Sequence, residues 1–151
     1  MKKKLGAMVC IMVLFTPLYG VSADVGEEDS ILINEDIVTS VMESEDGSIG
    51  IMSAGTRTSS TKTYGGMFSS YYAISRNEAT YVQDYMHVRG RIFDSNGGMI
   101  FSDYDDQTHT REVSLKYDHG GNYYRNYYAV GNHFYQRSGY IDTRHETKSY
   151  W

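Results

Sequence analysis

Between Tyr81 and Phe93 the chain alternates in a way that only one kind of backbone accommodates. Val82, Met86, Val88, Gly90 and Ile92 fall on one face, with Tyr81, Gln83, Tyr85, His87, Arg89, Arg91 and Phe93 on the other. This period of two suits a half-buried strand and no helix. Asp84 interrupts the apolar face and predicts a bulge or an exposed strand end there. Asp94-Ser95-Asn96-Gly97-Gly98 follows, and Asn-Gly tolerates the positive φ angles of a hairpin turn, so Met99 to Ser102 is expected to pair back against Gly90 to Phe93. Beyond a polar loop, Glu112 to Tyr117 alternates again with Val113, Leu115 and Tyr117 inward, and Asp118 to Asn122 carries the residues of another turn. Tyr123 to Tyr135 and Gly139 to Trp151 read as further strands, as do Thr56 to Tyr64 and Phe68 to Ser75. The expected fold of residues 51–151 is all-β: an antiparallel β-sandwich of six or seven strands, with a small β-barrel as the alternative.

The beginning of the chain has a different character. Lys2, Lys3 and Lys4 precede an apolar run from Leu5 to Leu18, and Val21-Ser22-Ala23 supplies the small residues that signal peptidase requires. The run is roughly 14 residues, short of the about 20 that a spanning helix needs. Residues 1–23 are therefore expected to be a signal peptide cleaved after Ala23, leaving a secreted protein, extracellular or cell-wall associated, with no membrane span after processing. The lone Cys10 lies inside this segment, so the mature chain is cysteine-free, with no disulfide and no thiolate nucleophile. Cysteine-free secreted chains point to a Gram-positive source.

Removing three lysines and no acid makes the remainder more acidic than the full chain's net charge of −5, a balance that excludes nucleic acid as a partner. The acids concentrate in residues 24–50, where Asp24, Glu27, Glu28, Asp29, Glu35, Asp36, Glu43, Glu45 and Asp46 meet no Lys or Arg. This composition predicts a mobile acidic linker or pro-segment, with Ile31, Leu32, Ile33, Ile37, Val38, Val41 and Met42 spaced as on one face of a short helix. The solvated linker is the favoured reading, since blocks of like charge are usually solvated.

Catalytic signatures do not emerge. There is no Gly-x-Ser-x-Gly elbow, no His-Glu-x-x-His and no phosphate-cradling glycine loop, so the chain reads as a non-enzyme without cofactor. The five histidines show no ligand spacing that repeats on a strand face. Asp103, Asp105 and Asp106 have the carboxylate density of a calcium loop but lack its glycine and downstream bidentate acid, and are expected to form a solvated turn. Tyr127, Ala129, Gly131, His133 and Tyr135 would share one strand face, a strip of imidazole and phenols over small residues. With Tyr85 and His87 these are the candidate binding residues: Tyr127, His133 and Tyr135 on one strand, Tyr85 and His87 on another. Fifteen tyrosines, several in adjacent pairs, place phenols on outward faces suited to a cell-wall glycan or an extracellular protein.

The Val88 to Asp94 stretch, the late Asn132-His133-Phe134-Tyr135 and the Tyr-, Ser- and Gly-rich strands behind a signal peptide resemble small secreted β-proteins of Firmicutes with no assigned activity. The ending Ser149-Tyr150-Trp151 is also similar to that of lactococcin 972-type bacteriocins, which are shorter and share no continuous motif with this chain. The first resemblance implies the fold more than a function; the outward tyrosines make a secreted non-enzymatic binding protein the expected function, with a bacteriocin-like or toxin-like protein carrying an acidic pro-segment as the alternative. No residue role is carried over from either resemblance.

Overall fold

A computed structural model describes residues 30–46, 55–66, 70–118 and 125–151. The signal peptide, its cleavage site, the boundary placed at 47–50 and the tyrosine pair at 123–124 lie outside the described residues. Six strands are present: β1 (Ile31–Val41), β2 (Thr56–Gly65), β3 (Tyr72–Phe93), β4 (Met99–Tyr117), β5 (Tyr128–Gln136) and β6 (Thr143–Tyr150). All pair antiparallel in one sheet of order β1-β2-β3-β5-β6, with β4 along the other side of β3. The fold is thus all-β as expected, in its barrel form: one sheet curled nearly closed. Among the described residues no helix is long and apolar enough to cross a membrane.

The curl originates in β3. A straight strand of 22 residues would run roughly 70 Å, far beyond the width of a domain this size, so it must bend. The regular pairing of β3 with β4 breaks between Glu78 and Gln83, where residues 79–82 face only Arg111, and His109 on β4 adopts φ 52°. Below this bulge β3 pairs with β2 and above it with β5, which swings the two halves of the sheet to face each other. The side chain of Gln83 satisfies the freed backbone, its Nε2 donating to the Tyr81 carbonyl at 2.7 Å while its Oε1 accepts from Arg57 Nε at 3.0 Å. The strand expected to end at Ser75 and the one expected at Tyr81 to Phe93 are therefore continuous from Tyr72, with the expected start at Phe68 outside the described residues, and the polar loop expected after Ser102 is the middle of β4.

Two zones fill the interior. Ala73, Met86, Val88, Ile92, Val113, Leu115, Tyr117, Ala129 and Tyr135 form an apolar cluster around the bend. Opposite it, where β2 faces β5 and β6, the buried side chains are polar: Arg57, Ser59, Thr61, Thr63, Ser75, Asn77, His133, Thr147 and Ser149. The walls approach closely enough for hydroxyls to meet across them, Thr61 to Thr147 at 2.6 Å and Thr63 to Ser149 at 3.0 Å.

This polar zone corrects the reading of the acidic stretch. Residues 31–41 are neither helix nor linker: they form β1, paired along its length with β2. Its Asp36 accepts the Lys148 backbone N–H at 2.7 Å, and Ser40 lies 3.0 Å from His145 Nε2, so side chains close the seam between β1 and β6. The hairpin turn expected after Phe93 is present. Gly97 takes φ 83°, and the Asp94 carboxylate accepts the Asn96 and Gly98 N–H groups at 2.8 Å each.

Candidate functional site

The strip on β5 shares one face, and that face is the interior. Ala129, Gly131, His133 and Tyr135 are all buried, Tyr127 sits at the entry to the strand, and Tyr85 and His87 lie on the outer face of β3. The five candidate binding residues are therefore divided between the two sides of the sheet and do not form one site.

Hydrogen-bond chemistry fixes the state of His133. Asn77 Nδ2 donates to the carbonyls of His87 (2.9 Å) and Phe134 (3.4 Å), so its Oδ1 faces His133 and accepts from Nδ1–H. The ring's Nε2 then accepts from Thr147 at 2.7 Å. Each hydroxyl has one proton, so direction propagates: Tyr117 donates to Ser75 (2.9 Å), Ser75 to Thr61 (2.8 Å) and Thr61 to Thr147 (2.6 Å). Burial, with a smaller repulsion from His145, lowers the His133 pKa to about 3, and burial raises the Tyr117 phenol to about 12. Gly131 makes the junction possible, because a Cβ there would collide with Thr61 Oγ1, His133 Nε2 and Ser75 Oγ.

A second chain runs parallel to the first. Tyr135 donates to the Thr58 carbonyl at 2.6 Å and accepts from Ser59 at 2.8 Å, which leaves Ser59 to accept from His145 Nδ1 at 2.9 Å. Burial pushes the Tyr135 phenol upward and His145 downward. Arg57 bonds Gln83, the Ile141 carbonyl (2.7 Å) and Thr143 (2.6 Å). Arg57 Nη2 is buried without a hydrogen-bond partner, and His145 is only partly buried, whereas the side chains of the β5 strip, His133 and Tyr135, are fully enclosed and engaged in packing.

The outer face of the upper half sheet is different. Strand register aligns it in rows across β4, β3, β5 and β6: Asp106-His87-Phe134-Arg144, then Tyr104-Arg89-Asn132-Glu146, then Ser102-Arg91-Val130-Lys148, then Met99-Phe93-Tyr128-Tyr150. Aromatic rings occupy both ends. Phe93 stacks on Tyr128 (5.0 Å, 9°), Tyr128 meets Tyr150 (5.7 Å), Tyr85 meets Phe134 (6.1 Å) and His87 meets Tyr104 (5.6 Å). Cations lie over these rings: Lys148 Nζ is 3.8 Å from the Tyr128 centroid, Arg144 4.7 Å from Phe134 and Arg91 5.4 Å from Phe93. A hydrogen bond to the Tyr150 phenol holds the Lys148 pKa above its ordinary value. Tyr104 and Tyr150 are 62% and 46% exposed, which leaves ring surface open to a ligand.

Of these outer residues the sequence reading singled out only Tyr85 and His87. The alternation of 81–93 already placed Arg89, Arg91 and Phe93 beside them. Phe134, Arg144, Tyr128, Lys148 and Tyr150 join through pairing between distant segments, for which one sequence carries no local signal.

The three aspartates lie in β4, not in a turn. Asp103 and Asp105 pair opposite Gly90 and Val88, while Asp106 pairs opposite His87 on the outer face, so their carboxylates do not converge. Among the described residues no group of three His, Cys, Asp or Glu side chains could hold a metal ion. Two shallow depressions at one end of the barrel are lined by Glu45, Asp84, Arg137, Ser138, Tyr140 and Asp142, and by Ser40, Glu43, Asp142, Arg144 and His145. In the first, the Ser138 N–H and hydroxyl donate to Asp84 at 2.7 Å each and lower its pKa.

No family model, no curated protein and no solved structure matches the chain.

Proposed function

We propose that the protein is a secreted, non-enzymatic binding domain that contacts a cell-wall glycan through the outer face of β3, β5 and β6. The observation that carries this reading is the aromatic row Phe93-Tyr128-Tyr150, with Tyr85 and Phe134 at the opposite end of the same face. Rings held by a sheet lose little entropy on contact, and they offer flat apolar surface together with phenol hydroxyls. Sedimentation with purified cell walls tests it. The wild-type chain is expected to pellet with the walls, and Tyr128→Ala/Tyr150→Ala to remain largely in solution. Equal partition of the two, or no sedimentation of the wild type, contradicts the reading.

A bacteriocin-like protein freed by cleavage near Ile51 is the less favoured reading. That cut would sever β1, which pairs with β2 along its length and bonds β6 at the seam.

A further inference from the structure

The candidate face carries more than rings, and its charge is opposite to that of the chain. The chain as a whole bears −5, yet this face presents Arg89, Arg91, Arg144 and Lys148 against Asp106 and Glu146. Glu146 is committed: it accepts from Asn132 at 2.8 Å and pairs with Arg91 at 3.4 Å. Arg89 donates to the Ser102 hydroxyl at 2.9 Å, and Arg144 and Lys148 rest on rings. Arg89, Arg144 and Lys148 form no ion pair among the described residues, and all three are exposed.

We infer that the ligand of this face is an anionic sugar polymer, one with phosphate or carboxylate groups repeated along it. The inference rests on the glycan-binding reading and narrows it. Arg89 on β3 and Lys148 on β6 stand about 12 Å apart, two strand spacings across and two residues along, so a small anion would meet one cation at a time. An extended chain crossing the strands meets several, with its sugar rings against Phe93, Tyr128 and Tyr150. The depressions at the barrel end suit such a ligand less well, since the acids Glu43, Glu45, Asp84 and Asp142 outnumber the cations Arg137 and Arg144 in their linings.

Four soluble probes at equal mass concentration test the inference on the wild-type chain and on Arg89→Gln/Arg144→Gln/Lys148→Gln: polygalacturonate, phosphomannan, its neutral counterpart mannan, and polyglutamate. Wild-type binding to one or both acidic glycans is expected at least about 10-fold tighter than to mannan or polyglutamate. It is also expected to weaken by about 10-fold in the triple variant. Carboxylate and phosphate sources are told apart by whichever acidic glycan binds more tightly. Raising the salt from about 50 to about 200 mM should weaken wild-type binding similarly, which reads the charge contribution without any substitution. Binding of mannan as tight as that of the acidic glycans, unaffected by salt or the triple variant, overturns the charge inference and leaves the glycan reading standing. Preference for polyglutamate overturns both in favour of an acidic protein partner, and binding to none of the four overturns the inference, with the cell-wall sedimentation then deciding the broader reading.

Discussion

His133 has no access to water, and each of its ring nitrogens meets one partner. Asn77 accepts from Nδ1, and burial favours the neutral ring, whose Nε2 then accepts from Thr147. A proton added at Nε2 would leave two donors facing each other unless Thr147, Thr61, Ser75 and Tyr117 all turned round. The linkage follows directly. The folded pKa, about 3, lies below the unfolded value near 6.5, so on acidification the unfolded chain takes up a proton that the folded chain refuses. Stability is fully present above about pH 6.5 and falls as pH drops towards 3, at up to about 1.4 kcal/mol per unit from this residue. Urea unfolding at pH 7, 6, 5 and 4 checks this: the His133→Gln variant is expected to show a flatter decline than the wild type, and parallel curves would mean the ring is not held neutral. The sequence placed His133, Gly131 and Tyr135 on one face correctly. It could not say that the face points inward, because Gly, His and Tyr suit a ligand groove and a tight polar interior equally well.

Among the elements, legibility followed the chemistry of the side each strand turns inward. The upper half of β3 was readable because Met86, Val88 and Ile92 face an apolar cluster and alternate with polar neighbours. The pattern of β1 is inverted. It turns Asp36 and Ser40 towards the polar interior and leaves Ile37 and Val41 outward at 53% and 54% exposure, so its apolar residues suggested a helix face. The middle of β4 is polar on both faces, with Asp103, Asp105 and Gln107 opposite the inward residues of β3 yet covered only partly or not at all, so nothing there imposed a period of two. If β1 is a structural member of the barrel, a chain beginning at Ile51 lacks the strand that pairs with β2 and the two side chains that close the seam. Its thermal midpoint is expected roughly 10 °C or more below that of the chain beginning at Asp24, the effect of losing about 2 kcal/mol. Equal midpoints would return residues 31–41 to the role of a dispensable linker.

For the whole molecule, the two sides of one sheet divide the work. Ser, Thr, Asn and His hold the walls together within, and the same strands carry Tyr, Phe, Arg and Lys outside, the groups on which the proposed binding rests. The buried hydroxyls of the polar zone, Ser59, Thr61, Thr63, Ser75, Thr147 and Ser149, are paired, whereas that of Tyr72 is not; the pairing matters because an unpaired hydroxyl costs about 1–3 kcal/mol while a formed bond returns only about 1. Such an interior has little room to admit a ligand without losing stability, whereas the outer face can bind without disturbing the fold. Amide chemical-shift mapping during titration with polygalacturonate tests that division most directly. The largest changes are expected at Arg89, Phe93, Tyr128, Lys148 and Tyr150, with Gly131, His133 and Thr147 unmoved. Changes centred on His133 and its hydroxyl chain, or on the depressions around Asp84 and Asp142, would contradict the account.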